Sequence, residues 1–380
     1  MNFDYTEEQN ALRDTLTRFI AKDYPFEARR ALAKTAEGFS RDHWSQFAEL
    51  GLLALPFPDA CEGLNGNAVD NLVVMEAFGR GLVLEPYFAT VILAGHLLRD
   101  FASDEQKRAL LPKIGSGERM LALGHYEADA RYELARIATT VTPQGSGFRL
   151  SGQKAVVLSG GCADQFLISA RSAGGSSDAQ GLSLFLVDRH TPGLKLSSYS
   201  TQDGGRAAEL VLDQVEVGAQ SLVGSLGEAL PAIERALDYG IAALCAESVG
   251  IMGALNEATL EYLKTRKQFG QAIGRFQVLQ HRLVDMFIAT EQARSMALLA
   301  AVKADALDPA ERRRTLSAAK AYVGQQARLV GQQAVQLHGG MGVVDELNVA
   351  HYFKRLTTIN LTLGDIDHHL GVYSDSLLAA

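Results

Sequence analysis

Helical spacing runs from Glu228 to about Thr265, again from Phe276 to about Ala306, and again from Asp308-Pro309 to about Leu337. Asp308 suits an N-cap and Pro309 the first helical position, where a missing N–H does no harm. A shorter fourth run begins near Glu346, and Gly364-Asp365 punctuate the chain before a last amphipathic stretch. Helices this long, joined by short connections, bury their apolar stripes best against one another. Residues 228–380 are therefore predicted to form a four-helix bundle.

The rest of the chain has two other textures. Residues 1–120 repeat apolar positions at helical spacing, as in Leu12, Leu16 and Phe19, in Trp44, Phe47 and Leu50, and in Leu72, Met75 and Phe78. Thr6 and Ser103 stand at predicted helix starts, and Gln106 lies three residues after Ser103, as a capping box requires. From 121 to 227 the apolar runs are short, β-branched and bounded by glycine, serine or aspartate. Ile137–Val141, Ala155–Leu158, Phe166–Ala170, Leu182–Val187 and Glu209–Val217 read as strands of an antiparallel barrel or sandwich, with Ser172–Gln180 as a polar loop. The fold class is α+β multidomain: a helical domain over 1–120, a β domain over 121–227 and a helical bundle over 228–380.

Composition narrows the function. A net charge of −8 with no basic stripe argues against nucleic acid. The run Arg312-Arg313-Arg314 follows a helix start and reads as a solvated helix face. Three separated cysteines, Cys61, Cys162 and Cys245, show neither C-x-x-C nor zinc spacing and predict no metal site and a reduced cytoplasmic protein. Met1–Asn10 carries Asp4, Glu7 and Glu8 and lacks the profile of a signal or transit peptide. No uninterrupted apolar run approaches the roughly 18 residues of a membrane span. The Rossmann G-x-G-x-x-G, the P-loop and H-E-x-x-H are all absent, and no G-x-S-x-G accompanies His338-Gly339-Gly340.

What the bundle does carry is a set of groups for holding a phosphate-bearing cofactor. Arg266 precedes a glycine-containing turn, Gly270 to Gly274, and its guanidinium can either complement a helix C-terminus or fork onto a pyrophosphate. Phe269 and Gln277 follow. Gln336 precedes Gly339-Gly340, which can cap a helix or let backbone approach a ligand closely.

The pattern R-x-x-F-G-x-x-I-x-x-F-Q-x-x-Q over Arg266–Gln280, with Gln336-x-His338-Gly339-Gly340-x-Gly342, resembles the signatures of the acyl-CoA dehydrogenases. Weaker matches at Asp104–Lys107, Leu150-x-Gly152-x-Lys154 and Gly205–Ala207 extend the resemblance over all three regions. The chain is similar to the small subunit of pimeloyl-CoA dehydrogenase and to heteromeric dehydrogenases of steroid side-chain breakdown. The resemblance implies that FAD is the cofactor, that an acyl-CoA thioester is the substrate, and that electron-transferring flavoprotein is the acceptor. It also implies that Arg266, Phe269, Gln277, Gln336, Gly339 and Gly340 contact the adenine and pyrophosphate half of an FAD bound mainly by a neighbouring subunit.

Where that family carries its chemistry, this chain departs from it. The carboxylate that removes the α-proton usually precedes a Gly-Thr pair; here Leu363 stands there, before Gly364-Asp365. The family's other base position aligns with Gly240, beside Ile241. A missing base slows proton transfer by roughly 10²- to 10⁴-fold. Three carboxylates are candidate substitutes, each with a simpler role: Asp365 as a helix cap, Glu247 as one half of a buried pair, and Glu127 as a solvated side chain. The T-E-P-x-A-G-S-D loop of the family is replaced by His125–Arg131, and its W-I-T by Val156-Val157-Leu158, which lacks the hydroxyl expected near flavin N5. The sequence therefore predicts a subunit that pairs with a catalytically equipped partner. A self-sufficient homo-oligomer with an atypical base, or a non-catalytic acyl-CoA-binding scaffold on the same fold, are the alternatives.

Overall fold

The computed structural model describes residues 5–378. Six helices come first: α1 (Glu7–Asp23), α2 (Phe26–Leu32), α3 (Arg41–Glu49), α4 (Ala68–Gly81), α5 (His96–Phe101) and α6 (Asp104–Gly115). Strands follow: β1 (Leu121–Gly124), β2 (Thr140–Gln144), β3 (Gly147–Leu158), β4 (Gln165–Arg171), β5 (Leu182–Asp188), β6 (Leu194–Ser200), β7 (Arg206–Gly218) and β8 (Leu222–Val223). Then come α7 (Leu230–Thr265), a small hairpin of β9 (Lys267–Gln268) and β10 (Gln271–Ala272), α8 (Gln277–Ala304), α9 (Pro309–His338), α10 (Asn348–Leu361) and α11 (Ile366–Leu378).

The predicted helix starts are real caps. Thr6 and Ser103 each form a capping box, with Gln9 and Gln106, and the Asp308 carboxylate accepts from the Ala310 N–H ahead of Pro309. Like α2, β1 and β6, a π-helical stretch over Phe88–Gly95 has no counterpart in the sequence reading. Its residues FATVILAG are almost all apolar, so no period marks them. Arg312 also departs from expectation. It is buried, and its guanidinium donates to the Ala306 carbonyl at 2.8 Å, closing the loop before α9 rather than facing solvent.

The described chain forms two compact units. One comprises Met1–Ala31, Asn67–Val83 and Ile241–Ala380; the other comprises Leu32–Gly66 and Leu84–Gly240. In the first, α4 and α7 cross with backbone on backbone. A Cβ on Gly79 would lie 2.1 Å from the Glu247 carbonyl oxygen, and one on Gly250 would lie 1.9 Å from that of Glu76. Beside the crossing Arg80 of α4 pairs with Glu257 of α7 at 2.7 Å, and Glu76 of α4 pairs with Arg294 of α8. Among the described residues α7 is the one helix long and apolar enough to cross a membrane, but 94% of its apolar window is buried within the protein.

The second unit holds one eight-stranded sheet, in the order β6-β7-β3-β2-β4-β5-β8, with β1 beside β4. It is antiparallel except where β4 meets β1 and, at one bridge, β2. Strand β4 is buried along nearly its whole length, as its unalternating run Phe166–Ala170 requires. Strand β2 starts at Thr140, three residues later than the apolar run Ile137–Val141 indicates, because other groups take the preceding amides. Ile137 N–H goes to the Ser176 carbonyl, and Ala138 and Thr139 donate to the Glu127 carboxylate at 2.7 and 3.0 Å.

Glu127 is thus not a solvated side chain. Its carboxylate also accepts from the Thr139 hydroxyl at 2.6 Å and from the fully buried Lys154 ammonium at 2.7 Å, which in turn reaches Ser169 Oγ. Burial pushes Lys154 down to about 8 against the opposing pull of Glu127. Burial alone would raise the Glu127 carboxyl, but Lys154 and the hydrogen bonds from Thr139 and Ala138 hold it below its ordinary value. Removing one partner of such a pair strands the other. Glu127→Gln is expected to destabilise the protein by about 3–5 kcal/mol, read from its chemical-denaturation midpoint. A depressed carboxyl stabilises above its ordinary value of 4.5 and loses that contribution as pH falls through the lower folded value. The wild-type protein should therefore lose stability in that acid window more steeply than the variant.

Candidate functional site

Arg266, Phe269 and Gln277 sit on a continuous piece of chain that leaves α7, turns through the β9–β10 hairpin and enters α8. Arg266 continues the helical register, its N–H donating to Tyr262 O at 2.9 Å, and its carbonyl accepts from Ile273 N–H at 2.9 Å to close the hairpin. Gly274 allows the return strand to pack on the end of α7, since a Cβ there would meet the Leu263 carbonyl oxygen at 2.8 Å. The side chain of Arg266 is exposed.

The turn itself is Phe269-Gly270, with φ of +52° and +78°. That is the primed two-residue turn natural to a tight hairpin, but its first position normally holds Asn, Asp or Gly. A phenylalanine there is conformationally unfavourable. It is also 90% exposed, and its ring meets that of Phe276 edge-on at a centroid distance of 6.1 Å. An aromatic ring held outward in this way is available to stack on a group from outside this chain. Gln277 opens α8 and is exposed, and Phe276, the preceding N-cap, offers no side-chain hydrogen bond to the helix N-terminus. That end of α8 is open to an anion.

The second cluster is the end of α9. Gly339, at φ +59°, closes the helix by donating its N–H to the Gln336 carbonyl. Gln336 is exposed. A Cβ built on Gly339 or Gly340 would meet nothing within 4 Å, whereas one on nearby Gly342 would lie 2.5 Å from the Val335 carbonyl oxygen. Packing within the chain explains Gly342 and leaves Gly340 unexplained. The open space over this turn fits a close-lying outside group.

One contact that the sequence does not reveal brings the two clusters to the same end of the bundle. The His338 ring lies flat on Tyr262, centroids 4.4 Å apart at 28°, and its Nδ1–H donates to Ala334 O at 2.8 Å. The signals available in the chain are the four-residue spacing of Tyr262 and Arg266 and the position of His338 before the glycine pair.

The candidate bases are arranged otherwise. Leu363 is buried, at φ +59°, with its carbonyl accepting from His369. Gly240 lies buried within α7. The Glu247 carboxylate is buried and forked onto Arg355, at 2.6 and 2.8 Å. Asp365 accepts from the His368 N–H at 2.9 Å, a helix-capping contact at the start of α11. None presents a free carboxylate. In the β unit, Val156 is half-exposed at φ +51°, in a bulge of β3, while Val157 is buried and Leu158 half-buried, so the stretch offers no side-chain hydroxyl. In the same unit, His96 at the end of the π-helical stretch contacts the Tyr239 ring of α7 at 4.2 Å.

Models of the acyl-CoA dehydrogenase N-terminal, middle and C-terminal domains match residues 6–118, 122–215 and 229–378. The chain belongs to the acyl-CoA dehydrogenase family. Members of this family are FAD-dependent oxidoreductases. The dehydrogenase is 30% identical over 359 residues to a protein of Bacillus subtilis described as probable acyl-CoA dehydrogenase YngJ, covering 93% of each chain. Its structure is similar to the FAD complex of PigA, at 25% identity and a TM-score of 0.90 over 99% of both chains. It is also similar to the ChsE4–ChsE5 complex of Mycobacterium tuberculosis, at 25% identity and a TM-score of 0.88 over the whole of both chains.

For a flavin cofactor, the open glycine turn and the exposed cation fit the dinucleotide tail. The Val156–Leu158 stretch offers the ring system nothing to donate from a side chain. Because no described residue beyond its own turn lies within 4 Å of a Cβ on Gly340, Gly340→Ala should leave thermal stability within about 0.5 kcal/mol of wild type. It should at the same time lower the FAD content of the assembly that the chain enters, measured as the ratio of flavin to protein absorbance.

Proposed function

We propose that this dehydrogenase subunit acts with a second, catalytically equipped acyl-CoA dehydrogenase subunit. It contributes Arg266, Phe269, Gln277, Gln336, Gly339 and Gly340 to the pyrophosphate and adenine half of the partner's FAD. The observation that carries this reading is the contrast between its two halves. The tail-binding groups are exposed and open at one end of the bundle, while the base positions hold Leu363 and Gly240, and Glu247 is locked to Arg355. The ChsE4–ChsE5 complex, built from two named chains, gives a precedent for such pairing.

On this reading the reaction is α,β-desaturation of an acyl-CoA thioester, with the proton taken by a carboxylate of the partner. FAD supplies the hydride acceptor. Arg266 offers a fork of donors to the phosphates, and the amides of the glycine turn lie bare enough for close approach. Phe269 supplies a face for stacking on a purine. Electron-transferring flavoprotein is the acceptor that the family resemblance implies.

Arg266→Ala removes a charge-assisted contact of about 1.5–3 kcal/mol. FAD in the assembly purified through this chain should then dissociate roughly 10- to 100-fold more readily, with the assembly intact on gel filtration. Unchanged FAD affinity would sink the proposal. Asp365→Asn should leave turnover of that assembly unchanged, since a side-chain amide oxygen still caps α11. Loss of turnover with flavin retained would instead establish Asp365 as the base of a self-sufficient enzyme.

A further inference from the structure

The geometry points to His338 and Tyr262 as a positioning pair that holds the two cofactor-tail clusters in register. This inference rests on the tail-binding reading above and adds residues that touch no ligand themselves. Arg266 hangs from the last turn of α7, and Gly339-Gly340 from the last turn of α9. Helix ends fray, and nothing in the covalent chain ties these two together, for a hairpin and the whole of α8 intervene between them. To bind one pyrophosphate, both must keep a fixed separation, because an error near 1 Å is enough to forfeit much of an oriented interaction.

The stacked rings supply that link. His338 immediately precedes Gly339, and Tyr262 lies four residues before Arg266, its carbonyl accepting the Arg266 N–H. The imidazole is 4% exposed and almost parallel to the phenol ring at 4.4 Å. Its Nδ1–H is spent on Ala334 O one turn back in α9, which prevents the ring from rotating away from Tyr262. Burial lowers the His338 pKa from its ordinary value, and the carbonyls of Ala334 in α9 and Ala258 in α7 oppose that shift. A carbonyl from each helix therefore faces the ring. Beyond it, the turn Gly339–Val343 folds back on α9 through the close approach at Gly342. Each cluster is thus rigid in itself, and the ring pair sets one against the other.

The test is FAD affinity of the assembly purified through this chain, deflavinated and titrated with FAD, for His338→Ala, His338→Phe, Arg266→Ala and the His338→Ala/Arg266→Ala double variant. His338→Ala should bind FAD about tenfold more weakly. His338→Phe, which keeps a ring on Tyr262, should stay within about threefold of wild type. The double variant should be little worse than Arg266→Ala, because His338 acts by placing Arg266 and the glycine turn for the same group. Should His338→Ala fail to fold, Tyr262→Leu removes the stack from its more exposed side and should give the same tenfold loss. If Arg266→Ala weakens FAD but His338→Ala and Tyr262→Leu do not, the positioning role is overturned and the tail-binding reading stands. Full additivity in the double variant would also overturn it, since a general loosening of the bundle adds independently. If Arg266→Ala itself has no effect, both fall together.

Discussion

The crossing of α4 and α7 sets the frame of the bundle. At Gly79 and Gly250 the two helices approach so closely that any side chain would strike the opposite backbone. Contacts of this kind allow little sliding, because a shift of a fraction of a turn brings larger residues into the same gap. The position of α7 is thereby fixed along its axis. Two consequences follow for function, one at each stretch of the helix.

Beside the crossing, Glu247 has its backbone against Gly79 and its carboxylate in a buried fork with Arg355. Releasing that carboxylate for proton abstraction would break its short two-point pair with the half-buried Arg355 guanidinium and leave a buried charge to be compensated. The helix that could carry a base in place of Gly240 therefore uses the Glu247 carboxylate to hold α10. Farther along, α7 ends at Tyr262 and Arg266, and here the chemistry turns outward: an exposed cation, a strained exposed ring and a glycine turn with open space above it. Buried charge spent on structure and exposed groups left for phosphate recognition are what the proposed pairing with a catalytic partner requires.

Much of this was legible in the chain. Caps at Thr6, Ser103 and Asp308 mark helix starts because their side chains serve the first free amides, a local rule that needs no tertiary context. The long apolar periods of α7, α8 and α9 were equally plain. The π-helical stretch was not, because an unbroken apolar run has no period to read. Glu127 was misread because its partner Lys154 lies on a distant strand, and the late start of β2 has the same origin. Likewise, the motifs exposed Arg266, Gln336 and the glycines as candidates, but the left-handed turn at Phe269 could not be foreseen from a residue that rarely adopts it. The ring pair Tyr262–His338 joins helices whose facing residues only the fold brings together.

The account stands or falls on whether this subunit holds a flavin of its own. The most direct measurement is the visible absorption spectrum of the isolated chain, purified without any other subunit and mixed with excess FAD before desalting. The account predicts a colourless protein with little absorbance near the flavin band. A yellow protein retaining one FAD per chain and turning over an acyl-CoA would contradict it.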